Sequence, residues 1–169
     1  MKLVIFLFFF LISNTSIAEN IATIDFQKIL ENSKSYTNFF NDIEKFKNQQ
    51  LEIFKKIENE LLEEKESLDT DKIILSKEEF SNKLNKYENN VKNYHKKVDD
   101  INNQIFTKVE NAKSQISDQV IIIVQKLSIE NNINIVFDSN HYVLAMKEFD
   151  ITDKVIEILN LNNNKIKIE

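Results

Sequence analysis

Residues 80–105 read FSNKLNKYENNVKNYHKKVDDINNQI. Within this stretch Phe80, Leu84, Tyr87, Val91, Tyr94, Val98, Ile101 and Ile105 follow one another in alternating steps of four and three residues. That spacing is the seam of a helix packed lengthwise against another helix. Val109, Ala112, Ile116, Val120, Ile123 and Leu127 continue it, and the additional four-residue steps at 105 to 109 and 116 to 120 relax the supercoil locally. At 1.5 Å per residue the run from Phe80 to Leu127 is about 70 Å long, wider than a compact domain of this chain length.

Upstream, residues 35–68 are also helical in pattern. Phe39, Phe40, Ile43, Phe46, Ile53, Ile57, Leu61 and Leu68 stand on a Lys- and Glu-rich background, but Gln50, Glu60 and Glu64 interrupt the stripe. Residues 69–75 read as a turn, and Ser76-Lys77-Glu78-Glu79 is a capping box that starts the second helix. A short turn between two long helices makes them antiparallel neighbours. The expected object is a helical hairpin over residues 35–130, turning near 69–76, that projects from a smaller body.

The body is expected from residues 19–34 and 131–162. Ile21-Ala22-Thr23-Ile24-Asp25 is a short β-prone segment, followed by a helical turn at Phe26 to Leu30 and a break at Glu31-Asn32-Ser33-Lys34. Asn131 or Asn132 ends the long helix, since Asn is the residue present that best tolerates left-handed backbone. Ile133 to Asp138 alternates apolar and polar residues, Ser139-Asn140 makes a turn, and His141 to Met146 returns as a second strand with Tyr142, Leu144 and Met146 on one side. Asp150-Ile151-Thr152-Asp153 caps a final short helix, with Thr152 the best N-cap candidate, and residues 163–169 form a polar tail. The fold class is mainly α with a small β body (α+β). So few short strands make a meagre core that an oligomer would complete.

At the N-terminus Met1-Lys2, an apolar run from Leu3 to Ile12, and Ser16-Ile17-Ala18 form a cleavable export signal over residues 1–18. The run is too short to span a membrane. Removing it takes away only Lys2, so the exported chain carries 21 Lys against 27 acids, a net charge of −6.

Composition excludes whole classes of chemistry. The 169 residues contain no Gly, Pro, Cys or Trp, and every basic residue is Lys. No Gly-rich phosphate cradle, nucleophile elbow, disulfide framework or thiolate metal site can be built. Lys is interspersed with acids along the chain, which argues against nucleic acid. His95 and His141 lack the neighbours a metal site needs, and carboxylates on an exposed coiled coil have nothing to separate their pKa values. No catalytic residue, cofactor or metal is expected, and the chain reads as a non-enzyme. The skew toward 22 Lys, 23 Asn and 25 Ile also favours A- and T-rich codons, so the missing glycines say less about the fold than the seam does.

The cleaved signal, Ile21-Ala22-Thr23-Ile24-Asp25 followed by Gln27-Lys28-Ile29-Leu30, Leu75-Ser76-Lys77-Glu78-Glu79 at the hairpin turn, the Ile135-Val136-Phe137-Asp138 strand and the Asp150-Ile151-Thr152-Asp153 cap occur in a telling order. In that order, over residues 1–161, the chain resembles the Skp/OmpH family of periplasmic chaperones. The resemblance implies a homotrimer whose strands build a common body, with three hairpins hanging from it as tentacles around a cavity. Unfolded outer-membrane proteins would be held there without ATP, between the translocon and the outer-membrane assembly machinery. Ile24, Ile135, Phe137, Tyr142 and Leu144 are the expected trimer-body residues. The acidic charge and absence of Arg depart from the basic members of the family and argue against a lipopolysaccharide or membrane site.

Apolar residues beside the seam carry the functional reading, because adjacent positions do not share a helix face. Phe39, Phe106, Ile73 and Ile74 are the candidate client-facing residues; the alternative is that they pack between subunits or close the hairpin tip. A second reading of the whole chain is a structural envelope coiled coil that tethers or spaces partners.

Overall fold

The computed structural model describes residues 20–162 and residue 166; the export signal read at residues 1–18 lies outside them. The order of elements is β1 (Ile21–Ile24), α1 (Phe26–Asn32), α2 (Lys34–Ile74), α3 (Lys77–Asn131), β2 (Ile135–Asp138) and α4 (Thr152–Asn162).

Each helix boundary has a local cause. The Asp25 carboxylate accepts from the Lys28 backbone N–H at 2.8 Å and starts α1. Extended backbone at Ser33 separates α1 from α2, and the Ser33 hydroxyl accepts from Tyr36 N at the new N-terminus. Asn160 of α4 closes this kink: its side chain accepts from Lys34 N at 2.8 Å and donates to the Asn32 carbonyl at 3.0 Å. The capping box at Ser76 and Glu79 is formed in both directions. Asn132 sits at φ 54° and ψ 36° and ends α3, the one left-handed residue among those described. Asn is suited to this because its short polar side chain tolerates the conformation.

The 41 residues of α2 and 55 of α3 run antiparallel. Contacts between them, Asp71 with Lys83, Glu64 with Asn90 and Phe54 with Tyr94, step outward on one helix as they step back on the other. α2 runs six residues beyond the expected end at Leu68, to Ile74. Only Leu75 and Ser76 separate the helices, so the turn expected at 69–75 is mostly helix. The reason is Leu68, Asp71 and Leu75, which carry the inward face of α2 to the very end.

Residues of the α3 seam from Ala112 to Leu127 change partner. Ile116, Val120, Ile123 and Leu127 are buried with Ile29 and Leu30 of α1 and Val155 and Leu159 of α4. The body is therefore a small helical core, and the sheet lies on its side. β1 and β2 pair in parallel, Ile21 with Ile135 through Ile24 with Asp138. Thr152 ties the two chain segments together: its hydroxyl accepts from Asp25 N at 2.9 Å and donates to the Asp150 carboxylate, which also accepts from Thr152 N. Asp150 thus caps α4 in place of Thr152, which is the first helical residue and fully buried.

Two further expectations are corrected. Residues 141–146 form no strand: Ser139–His141 is a 3-10 turn, Tyr142 is extended but unpaired, and a second 3-10 turn covers Lys147–Phe149. The alternation of Tyr142, Leu144 and Met146 favours extended backbone, yet a strand needs a ladder partner. No ladder forms with β2 after the Ser139–His141 turn, and the next paired residue is Asp150, bridged to Thr23 of β1. In the tail, Ile166 packs against the cluster of Phe39, Ile43 and Ala112, so the segment read as polar contributes an apolar anchor.

Ile116 is fully buried at the junction of body and hairpin, whereas Ile53 is 48% exposed. Urea unfolding at fixed protein concentration is expected to show a loss of about 2–5 kcal/mol for Ile116→Ala. Ile53→Ala should stay within about 0.5 kcal/mol of the parent protein.

Candidate functional site

Among the described residues no three His, Asp or Glu side chains converge to hold a metal ion. His95 is exposed and leans on Tyr94 with ring centroids 5.4 Å apart, and His141 is exposed at a 3-10 turn. No helix among the described residues is long and apolar enough to cross a membrane. The candidate site is a surface, built from the hairpin and the open side of the body.

The hairpin seam is thin. Phe80, Leu84, Tyr87, Val91, Tyr94, Val98, Ile101 and Ile105 are all half-buried, and between them only Asn90 is not exposed. Opposite them α2 presents Phe46, Gln50, Phe54, Ile57, Leu61, Glu64, Leu68 and Asp71. The inward aromatic is Phe54, against the edge of Tyr94 at 5.9 Å, while Ile53, read as part of the stripe, points outward. Of the polar residues that interrupt the stripe, Gln50 and Glu64 sit inside the seam while Glu60 is exposed, and Glu64 has its partner there. Both of its oxygens accept from Asn90 Nδ2, at 3.1 and 3.0 Å. Tyr94 donates its phenol to Glu58, which holds that hydroxyl protonated beyond its ordinary range.

Charge is arranged to the same register. Residues 58–71 carry seven acids and one Lys, and the facing residues 83–97 carry five Lys and one Glu. Lys83 closes on Asp71 at 2.6 Å. That hydrogen bond holds the Asp71 carboxyl below its ordinary range, and the Ser76 hydroxyl does the same for Glu79.

The candidate client-facing residues divide. Phe106 is 67% exposed, Ile73 87% and Ile74 73%, and none of them enters a buried cluster. Phe39 is a correction: it is buried with Ile43 and Ala112, and its neighbour Phe40 is the exposed one. Adjacent residues point about 100° apart on a helix, so the pair itself was legible but its inward member was not. The body residues divide too. Ile24 packs on the helical core, while Val136 faces inward and Ile135 and Phe137 turn outward, each 41% exposed. Tyr142 is half-buried and Leu144 almost fully exposed, as are Val143 and Met146 in large part.

With this geometry the chain can be compared with known proteins. The model of the family described as outer membrane protein (OmpH-like) matches residues 20–159. The chain belongs to the OmpH-like family. A crystal structure of a candidate outer membrane chaperone (OmpH-like) from Caulobacter crescentus superposes with a TM-score of 0.79 at 13% identity, covering 89% of each chain. No curated protein matches. At so low an identity the superposition speaks for the fold, and this OmpH-like chain shares the body-and-hairpin architecture while differing at most positions.

Asp71 and Glu79 have depressed pKa values in the folded hairpin, so their stabilisation is complete above the ordinary carboxylate range and is lost as pH falls through the depressed values. Hydrogen-exchange protection factors near residues 71–83 should therefore drop below about pH 4, before those at 112–127 change. Asp71→Asn should reduce the low-pH loss; uniform loss along α3 would contradict the assignment.

Proposed function

We propose that this OmpH-like chain is an ATP-independent holding chaperone of the periplasm, active as a homotrimer on unfolded outer-membrane proteins. The observation that carries the reading is apolar surface left exposed among the described residues, in two places.

At the body, Ile135, Phe137, Leu144 and Met146 are large apolar residues beside a two-stranded parallel sheet. Parallel sheets are ordinarily covered on both faces, and an open apolar sheet edge invites further strands. Threefold association would cover these residues together with Tyr142 and fix the hairpins around a common cavity. On the hairpin, Phe106 and Ile73 lie outside the seam and remain exposed, which suits weak contacts with many sequences. Holding a client in this way needs no catalytic group or cofactor. The signal pattern of residues 1–18 supports export, and the name given to the Caulobacter protein supports a chaperone role. Delivery to outer-membrane assembly machinery follows from the same reading; lipopolysaccharide capture does not, since the exported chain is acidic and lacks Arg.

Dilution of a urea-unfolded outer-membrane β-barrel protein into one trimer equivalent, without nucleotide, should abolish light scattering. Intact trimers that leave aggregation unchanged would point instead to an envelope scaffold. Sedimentation of the exported protein should give three chain masses, and Phe137→Asp should shift it to monomer. Phe106→Ser with Ile73→Ser should weaken client retention while preserving the trimer.

A further inference from the structure

Exposed apolar residues on the hairpin are not scattered. Phe40, Leu51, Leu62 and Ile73 of α2 stand eleven residues apart, and all are exposed, at 50, 46, 54 and 87%. Eleven residues make just over three helical turns, so each step drifts only about 20° around the helix and advances about 16 Å. The four side chains therefore form one stripe, about 50 Å long, on one side of α2.

Its position relative to the seam says where α3 contributes. Phe40, Leu51 and Leu62 each follow a seam residue, Phe39, Gln50 and Leu61, by one position, and Ile73 follows Asp71 by two. Phe106 likewise follows Ile105. In two right-handed helices that face each other antiparallel, residues one step past the seam fall on the same side of the pair. Phe106 thus joins the α2 stripe, across from the interval between Phe40 and Leu51. Ile53 and Ile74 precede the inward residues Phe54 and Leu75 by one, and fall on the opposite side.

We infer that the face marked by Phe40, Leu51, Leu62, Ile73 and Phe106 is where the hairpin touches its client, an unfolded polypeptide bound through widely spaced apolar side chains. This rests on the holding role proposed above and specifies its contact surface. A second copy of the chain is a poor occupant. Five partly exposed side chains offer on the order of 500 Å² of apolar surface, short of the roughly 800 Å² per partner of a stable interface. A helical partner would also need an apolar residue every three or four positions, not every eleven. Exposed Glu44, Lys47, Lys55, Glu58, Glu66 and Asp69 fill the intervals, keep them wet, and present charges of both signs to the client. A flexible chain can meet isolated apolar points separated by water; a rigid surface cannot.

The test uses matched pairs in the full exported trimer. Leu51→Ser/Leu62→Ser removes residues 46 and 54% exposed, and Ile53→Ser/Ile74→Ser removes residues 48 and 73% exposed. Exposure alone would make the second pair at least as damaging. Binding is read with a fluorescent, urea-unfolded outer-membrane β-barrel protein, and trimer mass by sedimentation. The first pair should raise the dissociation constant roughly tenfold or more, and the second less than about twofold. Equal effects, or a larger effect of the second pair, with wild-type binding intact, would overturn the face assignment and leave the holding role standing. A change of oligomeric mass in the first pair alone would reassign the face to subunit packing. Failure of the wild-type protein to bind would remove the holding role itself, and the inference with it.

Discussion

Everything in this fold hangs on one apolar seam that changes partners partway along α3. Between Phe80 and Val109 it faces α2 and is only half-buried, as two helices alone must leave it. Between Ile116 and Leu127 it meets α1 and α4 and is sealed. The same helix is thus a free arm at one end and the main beam of a core at the other. Its capping box and left-handed Asn132 terminate it cleanly at each end. Because body and hairpin share an unbroken helix, the arm has a fixed root, and the distal seam is free to be weak without costing the body its core.

Weakness along the arm makes register a problem, and polar residues solve it. A seam of half-buried Leu, Ile, Val and Tyr can slide by a heptad at little cost. In the observed alignment Glu64 accepts at both oxygens from Asn90, and Glu58 accepts from the phenol of Tyr94. The acidic stretch of α2 opposite the basic stretch of α3 favours that alignment over a longer range. Surface ion pairs contribute little to stability individually. Their use here is discrimination: a slip of one heptad would put Ser76 or Asn90 across from Asp71 in place of Lys83.

How much of this was legible in the chain depends on the range of the interaction. Seam, capping box and Asn terminator are local patterns, set by residues within a few turns of each other. The α2 stripe looked irregular because Gln50 and Glu64 were counted as interruptions, when they are seam residues facing another helix. Phe39 and Phe40 could not be ordered inside and out without the register of that same partner. The 141–146 segment was misread for a related reason. Alternation specifies an extended backbone, while a strand also requires a ladder partner, and after β2 the chain next pairs at Asp150, with Thr23 of β1. Thr152 shows the same limit, being claimed by Asp25 across 127 positions instead of by its own helix.

The exposed apolar residues divide into two physical kinds, and the division carries the functional argument. At Ile135 and Phe137 they lie on a two-stranded sheet, with Leu144 and Met146 also exposed just beyond it in sequence. In the trimer we propose, association would gain free energy in proportion to the apolar area it removes from water there. Along the hairpin they are single residues set among charges, too far apart for one dry patch. In the proposed holding role each would bind an apolar side chain weakly and release it, and several acting on one flexible chain would add by effective concentration with no tight contact anywhere. The acidic, Arg-free composition is consistent with this. Without bidentate guanidinium groups the arm has no strong anion clamp, so in the holding role we propose, retention would come from many brief apolar contacts instead of a few charged ones.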